Sequence, residues 1–386
     1  MSYMQGRVAH DADSHVMETR EWLDAYIDAE YRGKVHPLYG KEPGRIDKLL
    51  DSAKARKADK DADAKAFDNV ISNEKGWRAY GAFDPGERTK ALDQLGFASQ
   101  LVFPTSGIGQ ATRGKDINVR YAASRAYNRA IAAFGAKDKR LIGVAYVPLD
   151  EPTLALEGVK EAIAEGCGAI MIAADAPGER SPGHPDLYPV WQELQDRNVP
   201  FMLHIGPGTK TQPLPFRNNG RPRAPDLHGG GENLRFCDYM MLWYAPQVFL
   251  TALIYDGVFM KFPNLKGGVI ESGAGWVPDW LRQLDFAHKS FAKTDPYLKE
   301  LDMMPSDFIR RAVKFTPFQG EDVGIMIRDA GPDLFLFSSD YPHPEGTKDP
   351  FGKFERTLAG IDEEAKDKFY RRNFEQMMGA RAAALV

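Results

Sequence analysis

The chain has 386 residues, 43% of them hydrophobic and 27% charged, the balance of an ordinary globular protein built as one large α/β barrel or two smaller domains. Its formal charge of −4 argues against a protein organised around nucleic acid or an anionic membrane, and no run approaches the roughly eighteen uninterrupted apolar residues of a membrane span. The start "MSYMQGRVAHDAD" lacks a basic segment leading into an apolar run, so no signal peptide is expected. Cys167 and Cys237 fit no Cys-x-x-Cys pattern and read as small buried residues in a reducing, cytoplasmic setting, without a structural disulfide.

Along the chain, eight short apolar runs have strand character: "RVAHDADSH" (7–15), "SQLVFPT" (99–105), "RLIGVAYVPL" (140–149), "GAIMIAA" (168–174), "PFMLHIG" (200–206), "KGGVIESG" (266–273), "AVKFTPF" (312–318) and "LFLFSSDYP" (334–342). Several are nearly continuous, as in a parallel sheet covered on both faces. Segments of helical length separate them. "NVRYAASRAYNRAIAAFGA" carries apolar residues at helical spacing and ends near Gly135, and "EPTLALEGVKEAIAEG" opens with an acid and Pro152 and closes at Gly166. "PDLYPVWQELQDRN", "GWVPDWLRQLDFAHKSF" and "GEDVGIMIRDAG" are assigned to the fifth, sixth and seventh units, and a helical tail occupies 350–386.

Eight strand-then-helix units predict a single domain over 1–386, a distorted (β/α)8 TIM barrel. The competing doubly wound sheet lacks its Gly-x-Gly-x-x-Gly turn after the first strand. Two stretches interrupt the repeat. Residues 28–90 form an insertion after strand one containing the charged, Ala-rich "KLLDSAKARKADKDADAKAF", which reads as a solvated helix or a mobile insertion. After strand five comes "GPGTKTQPLPFRNNGRPRAPDLHGGGENL", a long loop suited to a lid or an oligomer contact.

Metal-capable side chains fall where the strands end. Asp13 and His15 close strand one, with Glu18 three residues on; His204 closes strand five, Glu271 strand six, and Asp340 strand eight, followed by His343. In a barrel the C-terminal strand ends share one rim, from which catalytic groups are drawn. Asp13 and His15, two apart, point to one side of their strand and can converge with His204 and Asp340 on one ion. Each position alone has a plainer reading. His204 suits a hydrogen-bonded core histidine, Asp340 in "SSDYP" a turn former, and Glu18 an acid at the start of the helix "TREWLDAYI". An unpartnered Glu271 after "GGVI" is costly to bury. Four strand ends each carrying a donor point to a divalent metal instead, Zn, Mn, Fe or Co, since the set has imidazoles and carboxylates but no thiolate. Such an ion acidifies a bound water or polarises a carboxylate, with a rim carboxylate or His343 moving protons.

The motifs "DADSHVME", "AYNRAIAAF", "RLIGVAYVPLDEP", "HPDLYPVWQELQDRNVPFMLHIG", "GWVPDWLRQLD" and "SSDYPHPEG" resemble the amidohydrolase-related branch of the metal-dependent amidohydrolase superfamily, which includes aminocarboxymuconate-semialdehyde decarboxylase-like enzymes. The resemblance runs from about residue 8 to the C-terminal helix and leaves 28–90 unmatched. It implies a distorted (β/α)8 barrel that hydrolyses or decarboxylates small carboxylated molecules, often aromatic or unsaturated. Carried over by motif, Asp13, His15 and His204 bind the metal, and Asp340 is both ligand and proton carrier. Strand six departs from the pattern: relatives usually carry a histidine there, and this chain has Glu271 in "IESGAGWVP".

Three functions are therefore weighed. The first is a mononuclear hydrolase or decarboxylase using Asp13, His15, His204 and Asp340 as ligands, with Glu271 or His343 for protons. The second is a dinuclear iron or manganese oxygenase that adds Glu18, Glu271 and His343, so one or two ions bind per chain. The third is a non-catalytic subunit of a hetero-oligomer. Other features are read more plainly: "PTSGIGQ" as a rim turn that can touch substrate, and Arg217, Arg221 and Arg223 as a solvated or interface loop rather than a carboxylate clamp. "RFCDYMMLWYAPQVFLTALIYDGVFMKFP" reads as a barrel-packing helix with an apolar face for a homodimer or higher oligomer. A small-molecule substrate is expected, with no nucleic-acid or membrane partner.

Overall fold

The computed structural model describes residues 2–38, 43–68, 70–71, 74–112, 114–206, 218, 220–222 and 239–383. Most of the loop after strand five lies outside the described residues, as do Arg217, Arg223 and Cys237, whereas Arg221 is exposed and Cys167 is buried. Among the described residues no helix is long and apolar enough to cross a membrane.

Seven strands form one parallel sheet in sequence order: β1 His10–His15, β2 Ser99–Phe103, β3 Leu141–Tyr146, β4 Ala169–Ile172, β5 Phe201–His204, β6 Gly267–Ile270 and β7 Val313–Phe315. Every residue of these strands is buried. That explains why the apolar runs are continuous rather than alternating: both faces are covered, one by helices and the other by the sheet's own curvature. The connecting helices begin where the chemistry says they should. Asp116 caps Ile117–Gly135 by accepting from the Asn118 N–H, and Pro152 opens Pro152–Ala164 at a position where a missing N–H costs nothing.

The eighth strand is not a regular one. Leu334–Tyr341 makes only isolated bridges, Phe335 to Phe315 and Tyr341 to Ser14. It still joins the two sheet edges. On the β7 side the Phe315 N–H donates to the Leu334 carbonyl and the Leu336 N–H to the Phe315 carbonyl, both at 2.9 Å. On the β1 side Ala12 donates to Phe337 at 3.0 Å and His15 to Tyr341 at 2.8 Å. The ladder breaks because β1 carries an extra residue between Asp11 and Ser14, and because Asp340 turns to φ +54°. The tail holds this segment from outside: the Asn373 amide donates to the Pro332 and Phe335 carbonyls at 2.8 and 2.9 Å, each bond contributing about 1 kcal/mol.

Two sequence expectations need correction. The helix Tyr188–Asp196 belongs to the fourth unit, between β4 and β5, and the fifth unit's described helices are Tyr244–Tyr255 and Val258–Lys261. The charged insertion is not simply solvated. Pro43–Ala58 buries Ile46, Leu50 and Ala53, Lys60–Asp68 follows it, and Arg56 bonds Glu87 at 2.8 Å at the start of the helix Pro85–Leu95.

Candidate metal centre

The extra residue in β1 decides which acids enter the barrel. Between Asp11 and Ser14 that strand advances three residues against two on β2, so the simple two-residue alternation is broken. Asp11 therefore does not join Asp13. It accepts from Gln100 Nε2 at 2.7 Å and from the Ser339 N–H and hydroxyl at 2.8 and 2.6 Å. Burial pushes its carboxyl up to about 7 against the pull of these donors. His10 also lies away from the centre, stacked on Phe374 and bonded through Nδ1 to the Ser99 hydroxyl.

Asp13 and His15 face the rim and meet the ends of three other units. His15 Nε2 lies 3.2 Å from Asp13 Oδ1 and 3.5 Å from Asp340 Oδ1. His204 Nε2, at the end of β5, lies 3.4 Å from Asp13 Oδ1 and 3.5 Å from Glu271 Oε2. His343 places Nδ1 3.1 Å from Asp340 Oδ1 and stacks on His15 at 3.8 Å. These donors form two overlapping groups, Asp13, His15, His204 and Glu271, and His15, Glu271, Asp340 and His343, each with its ligand atoms within 4.8 Å of one another.

Two of the three inward-pointing acids are set by unusual backbone. Glu271 and Asp340 have φ of +51° and +54°, a left-handed conformation that costs a non-glycine residue about 1–2 kcal/mol. Hydrogen bonds hold each there: the Glu271 N–H donates to Thr316 Oγ1 and the Asp340 N–H to the Asp13 carbonyl, both at 2.9 Å. The loop beyond Glu271 is fixed in turn by Glu321, whose carboxylate accepts from Ala274, Gly275 and Phe318 at 2.8–2.9 Å.

The protonation pattern tests whether an ion fits. His15 Nδ1 is 2.7 Å from the Pro104 carbonyl and His204 Nδ1 is 2.9 Å from the Ile205 carbonyl. A carbonyl only accepts, so each Nδ1 carries a proton and each ring turns its Nε2 toward the centre. Burial lowers the His15 pKa to about 3, keeping that ring neutral. Both Nε2 atoms thus face carboxylate oxygens: His204 Nε2 is hydrogen-bonded to Asp13 Oδ1 at 3.4 Å, whereas His15 Nε2 and Asp340 Oδ1 are buried without a hydrogen bond. Carboxylate oxygens and the His15 lone pair converging in a buried space repel one another until a cation lies among them. The carbonyl-oriented imidazoles are the outer support that metal-binding histidines use. The cluster is suited to a divalent metal ion.

Glu18 is placed elsewhere. Among the described residues it belongs to neither group, and its carboxylate accepts from the backbone N–H groups of Thr105, Ser106 and Gly107 at 3.0–3.1 Å. Three more residues brace the rim, and of these only Thr105, within the "PTSGIGQ" turn, lies in a stretch singled out from sequence. Arg88, fully buried, donates to the His15 carbonyl at 2.6 Å and the Gly81 carbonyl at 2.8 Å, tying the insertion to β1. Thr105 touches His343 at 2.8 Å, and Glu321 holds the loop after β6. A carboxylate opposite several successive backbone N–H groups is a tertiary event with no local motif.

Comparison with known proteins agrees with this architecture. Residues 11–377 match the amidohydrolase family model. Among solved structures, an amidohydrolase from Mycobacterium avium subsp. paratuberculosis superposes with a TM-score of 0.73 at 21% identity, covering 97% of this chain and all of that one. A dihydroxybenzoic acid decarboxylase from a Polaromonas species, solved with bound manganese and the inhibitor 2-nitroresorcinol, gives 0.66 at 17% identity, covering 98% and 99%. A 5-carboxyvanillate decarboxylase from Sphingomonas paucimobilis gives 0.62 at 17% identity, covering 96% and 98%. No curated protein matches significantly. With a family match over nearly its whole length, the chain belongs to the amidohydrolase family and is an enzyme.

Proposed function

We propose that this enzyme is a metal-dependent decarboxylase of a small aromatic or unsaturated carboxylic acid, with Asp13, His15, His204, Glu271 and Asp340 as the ligand set. The observation that carries the reading is the pair of Nε2 atoms, from His15 and His204, aimed at carboxylate oxygens 3.2–3.5 Å away in a buried space. The manganese-containing decarboxylase among the similar structures supports the choice of reaction. A divalent ion bound here supplies positive charge that holds and orients a substrate carboxylate or a neighbouring hydroxyl oxygen.

The chain's own groups do the proton work. Asp340, buried at the rim with Oδ1 3.1 Å from His343 Nδ1, is the carboxyl placed to deliver a proton to the substrate carbon bearing the carboxylate. That proton forms the new C–H bond; the C–C bond then breaks, its electron pair returns to the unsaturated system, and carbon dioxide leaves. His343 then takes up a second ring proton and passes it from Nδ1 to Asp340 to begin the next cycle. It supplies the third imidazole of a centre whose sixth strand ends in glutamate. Arg88, Thr316 and Glu321 hold the backbone around these groups.

One observation favours a second reading: the two donor groups share His15 and Glu271, as a pair of bridged ions in an oxygenase would require. The complete donor set and the family match leave no reason for a non-catalytic subunit. The test is a panel of hydroxylated benzoates and unsaturated acids with the manganese-loaded chain, following carbon dioxide and oxygen together. Carbon dioxide release without oxygen uptake supports the proposal. Oxygen consumption coupled to turnover replaces it with the oxygenase, and turnover with neither replaces it with a hydrolase.

A further inference from the structure

The loop after β2 links Glu18 to His343. The Glu18 carboxylate collects three consecutive N–H groups, with Oε1 on Thr105 and Gly107 and Oε2 on Ser106. The fit leaves no slack, because a Cβ at Gly107 would lie 2.7 Å from Glu18 Oε1. From the loop so held, Thr105 Oγ1 stands 2.8 Å from the Val16 carbonyl and 2.8 Å from His343 Nε2, with the weakly accepting Met17 sulfur at 3.5 Å.

A hydroxyl has one proton. The Val16 carbonyl can only accept, so the Thr105 proton lies on that side and its lone pair faces the imidazole. His343 must then bring its own proton on Nε2, which turns the Nδ1 lone pair toward Asp340. We propose that Glu18 and Thr105 are positioning residues: Glu18 clamps the Thr105–Gly107 loop, and Thr105 thereby selects the His343 tautomer that presents Nδ1 to Asp340. Glu18 acts on the centre through this loop and is not a metal ligand. The inference rests on the functional reading only in placing His343 at the centre.

The test uses the full-length, zinc-loaded chain labelled with 15N-histidine, with His343→Gln assigning the signals. The nitrogen shifts report which ring nitrogen holds the proton. The unmodified chain and Thr105→Ser are expected to show His343 protonated at Nε2, and Thr105→Val to show a tautomer mixture. In Glu18→Gln the amide NH2 must face at least one backbone N–H. Amide exchange across 105–107 is therefore expected to rise by about tenfold or more, with zinc stoichiometry retained. A proton on Nδ1 in the unmodified chain, or the same tautomer in Thr105→Val as in Thr105→Ser, overturns the role of Thr105. Loss of zinc in Glu18→Gln with unchanged exchange across 105–107 returns Glu18 to the ligand set. Neither result depends on whether a carboxylic acid is turned over, so failure of the decarboxylase reading is seen separately.

Discussion

Removing the ion should destabilise the folded chain by an amount that the centre's composition sets. Without a cation, the carboxylates of Asp13, Glu271 and Asp340 face one another and the Nε2 lone pair of His15 in a space from which water is largely excluded. An ion that binds only the folded state stabilises it by about 4 kcal/mol when its free concentration is about a thousandfold above the dissociation constant. A folded unit of 386 residues unfolds with an entropy of roughly 0.8 kcal/mol per kelvin, so stripping the ion should lower the melting temperature by about 5 °C. Differential scanning calorimetry before and after chelation, with elemental analysis confirming removal, reads this directly. Asp13→Asn sharpens the test, because it removes one ligand and one repelling charge together. The variant should melt below the unmodified chain when both are loaded, and above it when both are stripped. An unchanged melting temperature after proven removal, or an Asp13→Asn chain as sensitive to chelation as the unmodified one, would refute the reasoning.

Three further outcomes concern His10, Arg88 and Gly346. Burial lowers the His10 pKa from its ordinary 6.5 to about 4, so the unfolded chain binds that proton more readily. Stability is then lost as the pH falls from 6.5 through 4, by about 3 kcal/mol; in urea melts His10→Asn should show a flatter acid limb, and identical limbs would contradict the assignment. Arg88→Met leaves the Gly81 and His15 carbonyls without their buried donor, at a cost of about 3 kcal/mol, and should weaken metal retention because His15 loses its backbone anchor; a loss below about 1 kcal/mol would count against that role. A Cβ at Gly346 would stand 2.7 Å from the Asp340 carbonyl and 2.9 Å from that of Ser339. Gly346→Ala should therefore displace Asp340, with about 1–3 kcal/mol of destabilisation and weaker metal binding in a titration; unaltered affinity would show that the loop absorbs the methyl group.

Much of this molecule is visible in its sequence because parallel strands buried on both faces leave continuous apolar runs, and seven of the eight expected strands lie inside those runs. The eighth, "LFLFSSDYP", has the composition of a strand but not its geometry, since the left-handed turn at Asp340 is imposed by the meeting with the bulged β1. The spacing of Asp13 and His15 gives their shared side correctly, whereas the same spacing would have placed Asp11 beside them, and only the extra residue in β1 explains why it is not. Glu18 shows the limit most clearly. An acid three residues after a metal-type motif is indistinguishable in sequence from a ligand, and its partners, the N–H groups of Thr105–Gly107, lie nearly ninety positions away. Arg88 and Glu321 escape for the same reason, because their acceptors and donors are backbone atoms, which leave no mark on composition.

The central claim, a divalent ion held by acids and imidazoles from four units, is tested most directly by elemental analysis of the anaerobically purified chain beside its Glu271→Ala variant. The account predicts about one equivalent of a divalent metal per unmodified chain, and about ten- to a hundredfold weaker retention in the variant. Equal metal content and equal retention in the two proteins would contradict it.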